Sequence, residues 1–135
     1  MENYEFYIDS NGMNGEGISR LNGKVYFING AIEGEKVIAK VVKENKNFGY
    51  AQTEKMLTQS DNRCEPKCKY YGICGGCNMQ HIKYEKQLEI KTQNVQNLFN
   101  KHKLNASVSM CQGGQDFEYR NKITMYLSKN NSLGF

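Results

Sequence analysis

The sequence predicts a mainly β chain with some α. A small closed barrel of about five strands comes first, then a cysteine-bearing loop, one amphipathic helix and the start of an α+β region. Three observations predict it. Residues 1–58 alternate apolar and polar side chains in short runs punctuated by glycine and asparagine. Four cysteines, Cys64, Cys68, Cys74 and Cys77, then fall in a stretch with no hydrophobic period. From His81 onward, apolar residues recur at spacings of three, four and seven, the period of one helix face.

Each element has its own signal. Residues 4–8 alternate and run into the loop chemistry of 11–17, Asn-Gly-Met-Asn-Gly-Glu-Gly. Residues 24–28 close at Asn29-Gly30, residues 35–42 alternate, and Asn45-Lys46-Asn47 turns into 48–53. About five strands at this spacing suit a closed barrel better than a sandwich. Residues 1–58 thus form one unit and 59–135 a second. In the second, Tyr84, Leu88, Val95, Leu98, Phe99 and His102 make the core-facing stripe of the helix. Residues 107–111 and 122–127 read as strands around Gly113-Gly114, and 129–132 as a hairpin turn into Leu133-Gly134-Phe135. Ending on an apolar strand-like segment, the chain reads as a fragment of a longer one.

Composition narrows the class. No apolar run approaches the roughly 18–20 residues that span a bilayer, and the acidic start Met1-Glu2-Asn3-Tyr4-Glu5 leads into no apolar stretch. A cytoplasmic, monomeric protein with no membrane partner is expected, in a reducing compartment that disfavours disulfides. Net charge is +4, unevenly placed: residues 1–63 sum to −1 and 64–135 to +5. A basic second half suits phosphate-rich partners, although ordinary solvated faces carry a surplus of this size too.

The cysteines carry the strongest chemical signal. Cys68 to Cys77 reads C-x5-C-G-G-C. Thiolates this close in a chain without an export signal point to a metal or iron–sulfur cluster rather than a disulfide. Gly75 and Gly76 leave room for the chain to wrap an inorganic core. Cys64 offers a fourth thiolate, and C-x3-C-x5-C-x2-C would be a closed four-thiolate site suited to zinc as well. Cys111, on an expected strand, reads as a small buried hydrophobe.

Two stretches resemble known families. Residues 15–37 run G-x-G, then a glycine before V-x-F-I-x-G, then E-G-E-x-V, which resembles the TRAM domain, a small OB-like RNA-binding barrel. Ile28 stands where valine is usual and Glu33 where proline is usual. C-x5-C-G-G-C-x2-Q-H from Cys68 to His81, the helix with Tyr84, Gln87 and Lys91, and Tyr119-Arg120-Asn121-Lys122 resemble the RNA uracil-C5 methyltransferases. In particular they resemble the bacterial 23S rRNA (uracil-5-)-methyltransferases that carry a TRAM domain and a 4Fe-4S cluster. The resemblance implies that Cys68, Cys74 and Cys77 are cluster ligands, that 23S rRNA is the partner and that S-adenosylmethionine is the methyl donor. The family's cofactor-binding domain, catalytic cysteine and general-base glutamate lie beyond a segment like 133–135. No glycine-rich nucleotide fingerprint occurs here, so no methyl transfer is expected of this chain alone.

Candidate RNA contacts follow. Arg120 and Lys122 alternate on an expected strand and would offer phosphates a row of charge. Tyr71, beside Tyr70, would stack on bases or pack against the cluster. Gln80 and His81 follow the cysteine loop, where a histidine also serves structural roles. In the barrel, Lys24, Lys43, Lys46 and Phe48 are the RNA-facing candidates. Two other classes remain open: a small iron–sulfur electron-transfer protein, which leaves the barrel and basic helix unexplained, and a zinc-stabilised RNA-binding module, which needs Cys64 as a ligand.

Overall fold

A computed structural model describes residues 2–134; Met1, and Phe135 of the expected final strand, lie outside the described residues. Six strands form one sheet: β1 (Asn3–Tyr7), β2 (Ser10–Asn11), β3 (Gly17–Leu21), β4 (Lys24–Asn29), β5 (Lys36–Glu44) and β6 (Phe48–Thr58). Their order is β1-β5-β6-β4-β3-β2, with β4 and β6 parallel and the other pairs antiparallel. The expected five-stranded closed barrel is therefore corrected to a six-stranded sheet whose ladder does not close. The edge strands β1 and β2 are successive in the chain, and only Ile8 and Asp9 separate them. There the main chain turns from one edge to the other: Ile8 N–H donates to Glu35 O (3.0 Å) and Asp9 N–H to Ile18 O (2.8 Å).

Alternation sorts the sheet into two faces. Inward go Phe6, Tyr26, Ile28, Val37, Ala39, Val41 and Ala51, which with Ile8 and Ala31 make the main core. Tyr26 lies under β6, where a Cβ on Gly49 would come within 2.6 Å of its ring; the sheet needs glycine there. Asn11, 6% exposed, ties the loops together: its Nδ2 donates to the carbonyls of Gly15, Glu16 and Ala31, and its Oδ1 accepts from Glu33 N–H.

Residues 59–83 hold turns and isolated bridges, and α1 (Tyr84–Lys101) follows. The helix starts three residues later than its pattern suggests, because His81 and Ile82 are buried in the preceding loop. Ile82, Ile90 and Ile32 form a second small core with Met79 packed against it. Lys86 reaches Glu33 at 3.0 Å, joining α1 to the turn before β5.

Two expectations for the second half are corrected. Of the helix, only Ile90 is buried; Val95 and Leu98 of the expected core stripe are 38% and 40% exposed. Residues 107–111 form no strand. Two of their N–H groups are taken by helix side chains, Val108 N–H by Gln96 Oε1 and Cys111 N–H by Thr92 Oγ1, which offer no continuing ladder. Residues 122–125 are likewise irregular, and regular pairing begins only at β7 (Tyr126–Leu127) with β8 (Leu133–Gly134). The expected turn is there, with Asn131 N–H donating to Ser128 O.

Candidate nucleic-acid interface and cysteine loop

The cysteine loop is pinned at its two ends and loose between them. Arg63 and Ile82 form an antiparallel bridge, and Cys64 N–H donates to His81 O at 3.0 Å. Inside, Cys68 N–H donates to Gln80 Oε1 (3.2 Å), Cys74 N–H to Tyr70 O (2.9 Å) and Gly76 N–H to Cys74 Sγ (3.4 Å). Cys68 and Cys77 are exposed, Cys64 and Cys74 half-buried, and all five cysteines are free. Ile73 is 88% exposed, so the loop has almost no apolar core. Among the described residues no group of three or more His, Cys, Asp or Glu stands close enough to hold a metal. The chemistry of the donors nonetheless suits a thiophilic centre: three thiols on one pinned loop, a backbone N–H already aimed at one sulfur, and Cys64 at the hinge with its thiol on Gln80 O at 3.3 Å.

A buried polar network fixes this loop to the sheet. Glu35, fully buried, accepts from Ile32 N–H (2.9 Å), Ser60 N–H (3.1 Å), Arg63 Nε (2.7 Å) and Arg63 Nη2 (2.7 Å). Arg63 Nη2 also donates to Gly30 O at 2.7 Å. Desolvation pushes the Glu35 carboxyl up, but these donors outweigh it and hold it below the usual range. His81 sits beside them, 4% exposed, with Nδ1 2.5 Å from the Tyr71 hydroxyl and Nε2 buried without a partner. Burial first, and the Arg63 charge second, push its pKa down to about 4. Tyr71 also donates to Asn78 O.

The RNA candidates therefore fall into distinct places. His81 is closed off from solvent, the Tyr71 hydroxyl is engaged within the loop, and Gln80 Oε1 accepts from Cys68 N–H. Arg120 and Lys122 are exposed, but they lie in irregular chain and form no regular strand row. Lys24 is paired with Glu44 at 2.7 Å, and Glu44 also accepts from Tyr26, whose pKa this bond, with burial, raises to about 12. Lys43 and Lys46 are exposed.

Phe48 has company that pattern reading missed. It lies 5.7 Å from Tyr50 and 6.2 Å from Phe27, ring centre to ring centre, and Phe27 and Tyr50 are 5.6 Å apart. All three point outward from the sheet, away from the core face. Register places Ile18, Phe27, Tyr50 and Lys43 in one cross-strand row and Arg20, Val25 and Phe48 in the next. In a third row Asn29 Nδ2 donates to Gln52 Oε1, opposite Lys40. Alternation marks Phe27 and Tyr50 as outward, but only the strand order brings β4 beside β6.

Comparison with known proteins agrees with this layout. Residues 4–53, essentially the sheet, match the TRAM domain. The chain is 40% identical over 90% of its length to an uncharacterised RNA methyltransferase of Listeria monocytogenes, and covers 27% of that protein. It is 42% identical over 90% of its length to one of Caldanaerobacter subterraneus, again covering 27%. A 23S rRNA (uracil(1939)-C(5))-methyltransferase of Bordetella avium is 40% identical over 68% of this chain, which covers 19% of it. The chain thus spans about a quarter of the length of the first two relatives. In these 135 residues the sheet is a TRAM domain, and with its cysteine loop and helix the chain is similar to part of longer proteins named RNA methyltransferase.

Proposed function

We propose that this chain is the RNA-recognising, N-terminal region of an S-adenosylmethionine-dependent 23S rRNA uridine C5-methyltransferase, which presents a uridine to a catalytic domain elsewhere in the enzyme. The observation that carries the reading is the TRAM match across most of the sheet, on a chain otherwise similar to RNA methyltransferases. The Bordetella relative supports 23S rRNA as the substrate. Enzymes that modify a base take it out of its stack, and a sheet tied through Glu35 and Arg63 to the start of the cysteine loop suits holding the opened strand. In this reading the basic second half, with exposed Arg120 and Lys122, supplies phosphate contacts. Replacing both with glutamine is expected to weaken binding to a 23S rRNA fragment. It should also flatten the slope of log affinity against log salt by up to about 1.4, at roughly 0.7 per phosphate contact. Anisotropy titrations across salt concentrations measure both; unchanged affinity and slope would remove these residues from the interface.

Cys68, Cys74 and Cys77 would hold a 4Fe-4S cluster, with Cys64 as the fourth thiolate nearest at hand; zinc would suit the same donors. Bound there, the group would cross-link a loop that has little apolar surface of its own. Replacing any one of the three with serine is expected to open residues 64–80 to protease while amide protons of β4, β5 and β6 keep their protection. Equal loosening of both halves would contradict this division. Anaerobic purification with metal analysis distinguishes iron from zinc.

A further inference from the structure

We infer that the outward aromatic face of the sheet is a stacking platform for unpaired RNA bases, a deepening that rests on the RNA-binding role proposed above. The rings are not core: neither apolar cluster includes them, and Tyr50 is 43% exposed. Phe27 and Tyr50 lie 5.6 Å apart and tilted only 30°, so their ring planes run nearly parallel on adjacent strands. Phe48 stands almost edge-on to both, at 76° and 88°, and props them from the side. A base inserted between two rings needs roughly 7 Å, two van der Waals separations. The spacing here is smaller, so bases lie on the rings rather than between them.

The charge around the rings selects the occupant. Lys43 lies opposite Tyr50 and Lys40 opposite Gln52 on one flank, and Arg20 opposite Val25 on the other. None of the three has an ion-pair partner among the described residues. The three cross-strand rows contain no carboxylate. Aromatic faces flanked by unpaired cations match a single strand, whose bases have free π-faces and whose phosphates run alongside. A duplex hides its bases and would gain only from the cations.

Fluorescently labelled oligo(U) and oligo(A) of ~12 nucleotides, within the reach of one such fold, and a duplex of the same length test this with the whole chain. Unpaired RNA is expected to bind more tightly than duplex. Tyr50→Leu and Phe27→Leu, each checked for an unchanged melting curve, should each lower single-strand affinity by about fivefold or more. They should leave the salt slope as it was. Tyr50→Trp should retain the affinity, since it keeps a stacking face. Arg20→Gln and Lys43→Gln should instead each flatten the slope by about 0.7. Leucine variants that bind single strands as the parent does, or a parent indifferent to pairing, would overturn the platform while leaving RNA binding intact. A parent that binds none of the probes would overturn both the platform and the RNA-binding role.

Discussion

Arg63→Met is expected to destabilise the chain by roughly 3–5 kcal/mol, because it strands a buried charge. Glu35 is 0% exposed and takes two of its four hydrogen bonds from the Arg63 guanidinium, at 2.7 Å each. With methionine there, the carboxylate keeps only the Ile32 and Ser60 N–H groups and must stay charged in an apolar surround or take up a proton. The pair itself need not be strongly stabilising, since desolvation offsets much of the attraction between buried ions. What costs is half a pair. The double variant Glu35→Gln/Arg63→Met should therefore recover a good part of the loss, as a glutamine oxygen still accepts from the backbone without carrying charge. Urea titrations of the three proteins check this, and a single-variant loss under about 1 kcal/mol would place the carboxylate in contact with solvent. Since Arg63 also holds Gly30 O and bridges to Ile82, the same change should loosen the cysteine loop from the sheet.

This network shows where reading the sequence stops. Glu35 is visible as part of the E-G-E-x-V pattern, but its burial is not, because its partners lie at Ile32, Ser60 and Arg63, up to 28 positions away. Strands β4 and β5 were legible from period-two alternation. Strand β2 was not: two residues cannot show a period, and it exists only because the chain crosses between sheet edges at Ile8-Asp9. Phe48 stood out beside a turn, whereas Phe27 and Tyr50 became its partners through a parallel β4–β6 neighbourhood that no local pattern encodes. The failed strand at Arg120 and Lys122 is the reverse case. Alternation was present, but a strand needs a ladder partner, and the described residues supply one only from Tyr126 onward.

Acidification should weaken the link between loop and sheet in two stages, and His81 sets the first. Its ordinary value of 6.5 is pushed down to about 4 in the fold, by burial and then by the Arg63 charge. Below pH 6.5 the unfolded chain gains a proton on this ring that the folded chain refuses. Stability is therefore full above 6.5 and falls as the pH drops toward 4, with a limiting slope of about 1.4 kcal/mol per unit and a total of roughly 3 kcal/mol. Glu35 acts lower. Its folded value lies below the ordinary 4.5, so its contribution is intact above that pH and lost as the pH falls through the depressed value. The groups facing His81 explain why no relief comes sooner: Tyr71 offers a hydroxyl, and the Glu35 charge and the Ala31 backbone favour the protonated ring, but burial and the Arg63 cation outweigh them. Denaturant midpoints measured from pH 8 to 3.5 should show the slope between 6.5 and 4 in the parent and its loss in His81→Gln, which cannot titrate. A slope of equal size in His81→Gln would assign that window to the carboxylates, and the buried ring would then be a packing residue with no part in the acid response.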